Sequence, residues 1–275
     1  MTVITMTREM GTLGKDVAAG LAERLGLKVV HHELVEHGIS ERTGMRESDV
    51  HRFLEGEASL LERWRVGQKT LARYTAQEIL EIATKGNVLI RGWGATYLLR
   101  FVPHIVSVRI CAPMHFRDQV LMKRMSITDV TAARREIERN DAIHNGAMHR
   151  TFGVDWRDAT LYAVTLNTAY VPVPDCVDQI ARLTQREKFQ ETPQSWMVLK
   201  DQLIEARVRW ALGEHLAASL QAVGIDVHVS NGKVTLYGAT SDERSIAGMI
   251  RRVHDVEGVT GVDSKIQYVA FTNPM

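Results

Sequence analysis

Residues Val3–Val17 have the sequence VITMTREMGTLGKDV, and the organisation of the rest of the chain can be worked out from them. The stretch begins with a short apolar run, passes through a loop that contains Gly11 and Gly14, and enters an amphipathic helix at about Lys15. In this order of strand, loop and helix, backbone N–H groups and the positive end of the helix dipole converge on one point. A phosphate group fits that point, and a lysine at the helix start can hold the outer phosphates of a nucleotide.

The loop departs from the usual phosphate-binding consensus at two positions. Aligned with G-x-x-x-x-G-K-[ST], the chain has Glu9 in place of the first glycine and Asp16 in place of the residue whose hydroxyl holds Mg²⁺. A Gly-x-x-Gly sequence between a strand and a helix also occurs in ordinary tight turns. The loop alone therefore leaves two interpretations open, a phosphate site and a tight turn, and the segments downstream have to decide between them.

Composition limits the class of protein. The chain has 275 residues, of which 45% are hydrophobic, so it is long enough for one large domain or two smaller ones with packed cores. Its 34 basic and 33 acidic residues give a net charge of +1, which argues against a partner that is a nucleic acid. No window approaches 18 consecutive apolar residues, and the first residues lack the features of an export signal. We therefore expect no transmembrane segment and a cytoplasmic location.

Further apolar runs alternate with helical patterns along the first two thirds of the chain. This alternation predicts an α/β fold, in which a parallel sheet is flanked by helices. The predicted strands after the first lie at residues 27–30, 88–90, 105–111 and 162–168, and residues 48–84 form a helical insertion. The histidine and glutamate residues at 31–37 have the composition of a metal site, but their spacing fits no zinc motif, so we expect no zinc there.

A polar stretch at residues 140–160 follows two charged helices, which are predicted at residues 114–125 and 128–139. The stretch contains several cationic side chains, among them Arg150. A closing lid needs such side chains, because it excludes water and neutralises charge on a phosphoryl group during its transfer. The sequence therefore predicts a mobile lid over residues 140–160.

The composition changes at residues 191–195, ETPQS, which we interpret as part of a linker over residues 191–199. Beyond it we predict a helix at 203–223, a hairpin at 227–240 with an Asn231-Gly232 turn, a helix to about 254 and a strand at 259–269. The order α-β-β-α-β predicts a small α+β domain at residues 200–272, after a first domain at residues 1–190.

Four segments of the first domain resemble, in the same order, the cytidylate kinase-like branch of the P-loop nucleoside monophosphate kinases. They are TREMGTLGKD at 7–16, GNVLIRGWGA at 86–95, GVDWRD at 153–158 and LNT at 166–168. Glu9 and Asp16 are expected in the loop of that branch. Residues 200–270 are similar to a BON domain, through the hairpin at 227–238 and the segment VEGVTGV at 256–262. The resemblance implies that this tail binds a membrane, a partner or a small ligand.

The kinase resemblance implies transfer of the γ-phosphoryl group of ATP to a nucleoside monophosphate of the cytidylate type, with Mg²⁺ as cofactor. It also implies roles for individual residues. The phosphates would lie against Gly11, Thr12, Gly14 and Lys15, and Asp16 would contact Mg²⁺. Lys15 and Arg150 would neutralise charge during catalysis. The acceptor would be bound by Arg91, Trp93, Arg139 and Asp141.

This chain differs from the family pattern where the acceptor would bind. Trp93 replaces the arginine of a Gly-Arg-Gly sequence, so Arg91 would have to supply the missing cation; His144 replaces an expected lid arginine, and Ala163 an expected aspartate. Loss of a phosphate-binding cation from a desolvated site can lower a rate by several powers of ten. Two hypotheses follow: an active kinase with an altered acceptor site, or an inactive, nucleotide-sensing or partner-binding protein whose function lies in the tail.

Two further interactions of the tail are hypotheses: association with a membrane surface and pairing with a second copy of the chain. Its hairpin and helices have no strongly basic face, so any association with a membrane surface is expected to be weak. A small domain with an exposed sheet edge often pairs with a second copy, so a homo-oligomer is also a hypothesis.

Overall fold

The computed structural model describes residues 1–31, 37, 39–41, 46–48, 50, 68–92, 94–126, 128–218 and 222–269. Within these ranges the chain forms two sheets. No helix in the same ranges is long and apolar enough to cross a bilayer.

The first domain is organised around a parallel sheet in the order β2-β3-β1-β4-β5. Its strands are β1 (Val3–Arg8), β2 (Lys28–Val30), β3 (Val88–Arg91), β4 (Val106–Cys111) and β5 (Val164–Asn167). Each neighbouring pair is parallel, as predicted. Because β1 lies between β3 and β4, the carboxyl end of β1 opens into the crevice where ligands bind in folds of this kind.

Helices cover both faces of this sheet. In chain order the described ones are α1 (Gly14–Leu25), α2 (Gln68–Lys85), α3 (Ala95–Leu98), α4 (Met114–Met125), α5 (Val130–Phe152) and α6 (Val173–Thr184). The apolar faces of α1 and α6 share one core with alternate residues of β1 and β4. A second core on the opposite face includes residues of α2 and β3. The predicted α/β class is therefore confirmed.

The helix α5 extends beyond its predicted end. The chain is helical without a break from Val130 to Phe152, so residues 140–152 of the predicted lid belong to a regular helix. Asp129 caps its start by accepting a hydrogen bond from the amide of Thr131, and Gly153 ends it with a φ of 70°. The polar residues of 140–152 thus lie on a helix, most of them half-buried, while closure of the lid remains a prediction.

The second domain follows the predicted order α-β-β-α-β. Its elements are α7 (Pro193–Ala218), β6 (Ala222–Ser230), β7 (Lys233–Thr240), α8 (Glu243–His254) and β8 (Gly261–Tyr268). β6 and β7 form an antiparallel hairpin, and β8 lies parallel to β7. Asn231 and Gly232 both have positive φ, which is the backbone geometry that an Asn-Gly hairpin turn requires.

The helix α7 begins at Pro193, ten residues before its predicted start, and so includes most of the predicted linker. Proline is favoured at the first position of a helix. The amide of Ser195 donates to the hydroxyl of Thr192, and the amide of Thr192 donates to that of Ser195. The sequence ETPQS is thus a helix start, and the predicted helix boundary at residue 203 is wrong.

The helix α7 packs one of its faces into the core of the first domain and another into the core of the second domain. Leu199 and Leu203 are buried in the core that α2 shares with the first sheet. Ile204, Val208 and Leu212 are buried in the core of the second domain. A helix that is apolar on opposite sides has to be buried on both, so α7 joins the two domains through shared packing.

Candidate functional site

The loop between β1 and α1, residues 9–13, has the shape of a phosphate-binding turn. Gly11 has a φ of 79°, and a Cβ at this position would lie 2.6 Å from the carbonyl oxygen of Arg117, so only glycine fits. Leu13 precedes α1 in the left-handed conformation and makes no side-chain cap. The amides of Asp16 and Val17 donate to the carbonyl of Leu13, and the positive end of the helix dipole lies at the loop.

The same loop is fixed from inside by two hydroxyl groups. The hydroxyl of the buried Thr12 donates to the carbonyl of Glu9 at 2.7 Å. The carbonyl of Thr12 in turn accepts from the hydroxyl of Thr168 at 2.6 Å. Thr168 belongs to the Leu-Asn-Thr segment at the end of β5, so that segment anchors the loop. The hydroxyl of Thr12, a predicted phosphate-binding residue, is used within the loop.

Glu9 explains why this loop lacks the first glycine of the consensus. Its carboxylate is buried and pairs with Arg109 of β4, and Arg117 lies 3.7 Å away. The Nε of Arg117 also donates to the carbonyl of Met10 at 2.7 Å. Buried charges of opposite sign that satisfy one another hold a backbone in one geometry. The sequence analysis missed both arginines, although an arginine inside a buried strand was an available signal for Arg109.

Arg117 also connects the loop to α5. Two of its nitrogens donate to the two carboxylate oxygens of Asp141, at 2.8 and 2.7 Å. Asp141 was predicted to bind the acceptor, and in the structure its carboxylate is held by Arg117. The bidentate pair fixes the middle of α5 relative to the loop.

The two charged residues at the start of α1 are exposed. Lys15 and Asp16 follow Gly14 directly and lie on the solvent side of the helix. The carboxylate of Asp16 pairs with Arg124 of α4. Across the described ranges, no group of three acidic, histidine or cysteine side chains could hold a metal ion by itself. A metal at this loop would therefore depend on Asp16 together with oxygen atoms of a ligand.

A cavity of about 180 Å³ lies beside the loop, between the carboxyl ends of β1 and β3 and the inner side of α5. Its lining includes the half-buried Arg8 and Arg91, which are the last residues of these two strands. Gly94 also lines the cavity, and a Cβ at this position would overlap the ring of Phe152. Arg91, which was predicted to bind the acceptor, thus lines this cavity, while Trp93 lies outside the described residues.

Arg8 is the second cationic side chain of the cavity, and the sequence analysis did not identify it. A Cβ built on Gly14 would lie 2.7 Å from the Cβ of Arg8 and 3.0 Å from its Cδ, so the stem of Arg8 packs against the loop. Burial, together with the neighbouring positive charges of Arg91 and Arg124, lowers the pKa of Arg8 to about 10. The position of Arg8, directly before the loop, was a signal in the sequence.

Trp156 forms the wall of the cavity opposite the strands. Its side chain is 3% exposed, and its Nε1 has no hydrogen-bond partner among the described residues. His144 of α5 stacks on the indole, with 5.5 Å between the ring centroids and 23° between the ring planes. The Nδ1 of His144 lies 2.9 Å from the carbonyl of Asn140. His144, which stands at an expected lid arginine, is therefore part of the cavity wall.

Two of the predicted site residues lie elsewhere. Arg139 and Arg150 are exposed on α5, and neither belongs to the described lining of the cavity. The guanidinium of Arg150 lies over Gly146, where a Cβ would be 2.8 Å from it. Ala163 is exposed before β5, and its amide donates to the carbonyl of Ser107. The structure thus brings Arg91 to the cavity and leaves Arg139 and Arg150 on the surface of α5.

A parallel sheet with a glycine loop after its central strand, next to a cavity with cationic side chains, is a kinase-like arrangement. The comparisons with known proteins agree with it. The model of the cytidylate kinase-like family matches residues 3–170, and the chain belongs to that family. The BON domain model matches residues 200–270, so the second domain is a BON domain.

Individual relatives are distant. The cytidylate kinase of Pyrobaculum neutrophilum (strain DSM 2338 / JCM 9278 / NBRC 100436 / V24Sta) is 22% identical over 180 residues, which cover 64% of this chain and 89% of that protein. A crystal structure of an uncharacterised protein from Eubacterium ventriosum ATCC 27560 superposes with a TM-score of 0.52 at 18% identity, covering 66% of this chain and 97% of the other. At this identity the structural likeness shows the fold alone.

A shikimate kinase from Acinetobacter baumannii, solved in complex with shikimate, is also similar. It has a TM-score of 0.37 at 18% identity and covers 69% of this chain and 96% of its own. The family match supports a nucleotide kinase.

Proposed function

We propose that this protein transfers the γ-phosphoryl group of ATP to a nucleoside monophosphate of the cytidylate type. The observation that carries the proposal is the adjacency of two sites. The glycine loop presents the start of α1 on one side, and the cavity with Arg8 and Arg91 opens on the other. A donor phosphate and an acceptor phosphate would meet at the carboxyl ends of β1 and β3.

In this reaction an oxygen of the acceptor phosphate forms a bond to the γ-phosphorus, while the bond from that phosphorus to the bridging oxygen breaks. ADP leaves, and the acceptor becomes a diphosphate. Such a transfer requires little covalent chemistry from the protein, so positioning and neutralisation of charge supply most of the rate. The backbone at Gly11 and Gly14 would hold the donor phosphates, and Lys15 would neutralise their charge.

Asp16 fits the role of a magnesium ligand. Kinases usually bind Mg²⁺ through one or two carboxylates together with substrate phosphates, so one exposed carboxylate at the start of α1 is a suitable donor. Its present partner, Arg124, is a surface cation that a nucleotide complex can displace. When bound, Mg²⁺ would offset negative charge on the transferring phosphates.

The domain boundaries and the remaining roles follow from the same proposal. Residues 1–190 would carry catalysis, and residues 200–272 would bind a ligand or partner. Use of ATP fits a cytoplasmic protein. The predicted roles of Arg139 and Arg150 would require α5 to move toward the cavity. Weak membrane association and homo-oligomerisation through the tail remain hypotheses.

A coupled phosphotransfer assay tests the proposal. The full chain would be given ATP, Mg²⁺ and one acceptor from a panel of CMP, dCMP, UMP and AMP, and ATP binding would be measured by calorimetry. Lys15→Ala is the test variant, and Lys28→Ala, which removes an exposed lysine of β2, is its matched control. Turnover that disappears only in Lys15→Ala supports the proposal and identifies the acceptor.

Two other results of the same assay would favour the second hypothesis, an inactive, nucleotide-sensing or partner-binding protein. Binding of ATP without turnover on any acceptor would favour a nucleotide-sensing protein. If the protein neither bound ATP nor turned over any acceptor, the kinase function would be excluded. The search for a function would then move to the BON domain.

A further inference from the structure

The two edges of the second sheet differ in how they are protected. Because the strand order is β6-β7-β8, the edges are β6 and β8. At β6, the guanidinium of Arg209 donates to the backbone carbonyl of Val227 at 3.0 Å and to the carboxylate of Asp226 at 2.9 Å. Among the described residues, the backbone of β8 is hydrogen-bonded to β7 and to no other element. An edge of this kind presents unpaired N–H and C=O groups to another strand.

The side chains of β8 alternate between two faces of the sheet. Val262 and Ile266 are partly buried on the side of the core. Asp263 and Lys265 lie on the opposite face, which the helices leave open, and the Nζ of Lys265 is 5.3 Å from the ring centroid of Tyr237. Within the described ranges, neither of these two charges forms an ion pair. The edge thus carries an acid and a base two residues apart, next to two apolar side chains.

This pattern is complementary to itself. When two identical strands pair about a two-fold axis they run antiparallel, and one residue at the axis lies opposite its own copy. With Ser264 at the axis, Asp263 of each copy lies opposite Lys265 of the other. In the same register Val262 lies opposite Ile266 on the other face. Pairs of opposite charge and pairs of apolar side chains that face each other across two strands both stabilise a sheet.

The neighbouring registers are unfavourable. With Asp263 at the axis, the two aspartates would lie opposite each other, and with Lys265 at the axis the two lysines would. Like charges directly opposite each other destabilise a pair of strands. Of these three registers, the one centred on Ser264 is therefore selected by the charges.

We propose that two copies of this chain associate through β8, in antiparallel pairing about a two-fold axis at Ser264, so that their second sheets become one continuous sheet. The inference does not depend on the kinase function. A lysine on an edge strand usually prevents such pairing, but here the aspartate of the second copy lies opposite it. Pairing of one strand from each copy buries a small interface, so the dimer forms in a concentration-dependent equilibrium.

Sedimentation equilibrium of the full chain over a series of concentrations tests the association. We expect a monomer–dimer equilibrium. Asp263→Lys and Lys265→Asp should each raise the dissociation constant of the dimer by at least about 10-fold, because each converts two attractive pairs into two repulsive ones. Lys233→Asp reverses an exposed charge of the central strand β7, so it is the matched control and should leave the dimer unchanged.

The pairing of the two charges is tested by restoring it. In a mixture of Asp263→Lys with Lys265→Asp, every charge at the interface again lies opposite one of the other sign. The mixture should therefore form dimers that neither variant forms alone at the same concentration. The double variant Asp263→Lys/Lys265→Asp should likewise recover dimerisation. Circular dichroism would verify that each variant is folded, and if a single variant is not, the double variant and the cross-linking experiment below provide the test.

A disulfide tests the register directly. Residues directly opposite each other on antiparallel strands have Cα atoms about 4.5 to 5.5 Å apart, which a disulfide can span. Oxidised Ser264→Cys should therefore run as a covalent dimer on a non-reducing gel. The two copies of residue 267 would lie about 20 Å apart, so Gln267→Cys is the control and should not cross-link beyond the background of the wild type.

The remaining outcomes would overturn the proposal. A chain that stays monomeric at every concentration would exclude this dimer. A dimer that the single charge reversals do not weaken, or that Gln267→Cys cross-links as well as Ser264→Cys, would use another surface or another register. Phosphotransfer activity, whether present or absent, changes none of these expectations.

Discussion

The carboxylate of Asp16 pairs with the guanidinium of Arg124, and this contact joins the first turn of α1 to the last turn of α4. Both side chains are partly exposed, so the pair is a surface ion pair that contributes about 0 to 1 kcal/mol to stability. The same carboxylate is the one at the loop that could bind Mg²⁺. A bound Mg²⁺ would therefore compete with Arg124 for Asp16.

Asp16→Asn removes the charge that both partners use. We expect the unfolding free energy to change by less than about 1 kcal/mol, whereas the Mg²⁺ concentration for half-maximal activity rises and kcat/KM falls. Arg124→Gln removes the same ion pair but keeps the carboxylate, so it serves as the control. If both variants required the same raised Mg²⁺ concentration, Asp16 would not be the ligand.

Gly11 tests the shape of the loop. Gly11→Ala combines a positive φ with a Cβ that would lie 2.6 Å from the carbonyl oxygen of Arg117. Gly26→Ala has a φ of 63° but meets nothing within 4 Å, so it measures the backbone strain alone, about 1 to 2 kcal/mol. We expect Gly11→Ala to lose more stability than Gly26→Ala in urea titrations, and also to lose ATP binding. Equal losses with ATP binding retained would contradict the observed loop.

The sequence predicted the loop because its information is local. A strand, two glycines and a helix lie within Val3–Val17, and the segment at 166–168 was recognised by resemblance before Thr168 was found on the loop. The ion pairs that Glu9 of the loop forms with Arg109 and Arg117 could not be predicted in the same way. Arg109 and Arg117 are separated from Glu9 by about a hundred residues, and their pairing depends on strand order.

Two helix boundaries that differ from the prediction have a common origin. The polar residues of 140–152 and the ETPQS sequence were interpreted from composition, although the first lie in α5 and the last three residues of ETPQS begin α7. Composition indicates exposure to water, and a helix with one exposed face satisfies that as well as a loop does. The cavity was harder still, because Arg8, Arg91 and Trp156 meet only when β1, β3 and the segment after α5 are placed together.

Arg117 is expected to be among the most sensitive positions for stability. It is 4% exposed and is shared by Glu9, Asp141 and the carbonyl of Met10. Arg117→Met would leave two carboxylates without their common partner, which we expect to lower the unfolding free energy by about 3 to 5 kcal/mol.

A double-mutant cycle provides the control for Arg117. Asp141→Asn alone and in combination with Arg117→Met would be measured by urea unfolding. The loss from Arg117→Met should be smaller by more than about 1 kcal/mol when Asp141 is already neutral. Additive effects would mean that the two side chains do not interact in solution.

His104 predicts a pH dependence of stability. It is 2% exposed, its Nδ1 lies 2.9 Å from the hydroxyl of Ser195, and its Nε2 lacks a partner among the described residues. Burial lowers the pKa of His104; Glu191 raises it by a smaller amount, and the N-terminal ammonium lowers it. The folded state therefore binds its proton less tightly than the unfolded state, in which the pKa is about 6.5.

It follows that stability is lost as the pH falls below about 6.5, by at most about 1.4 kcal/mol per pH unit. Urea midpoints at pH 7.5, 6.5 and 5.5 would measure this loss. His104→Asn should be less stable at pH 7.5 and should show a smaller decrease toward pH 5.5. His115→Asn, which alters a histidine on α4, is the control and should keep the wild-type slope. An identical slope in His104→Asn would assign the pH dependence to other groups.

The shared helix α7 predicts that the two domains unfold together. Leu199→Ala creates a cavity in the first core and Leu212→Ala creates one in the second, and each should cost about 2 to 5 kcal/mol. Because α7 belongs to both cores, each substitution should lower one common transition. Tryptophan fluorescence reports on the first core through Trp196 and Trp210, and far-ultraviolet circular dichroism reports on the whole chain. A second transition that only Leu212→Ala shifts would mean that the BON domain unfolds independently.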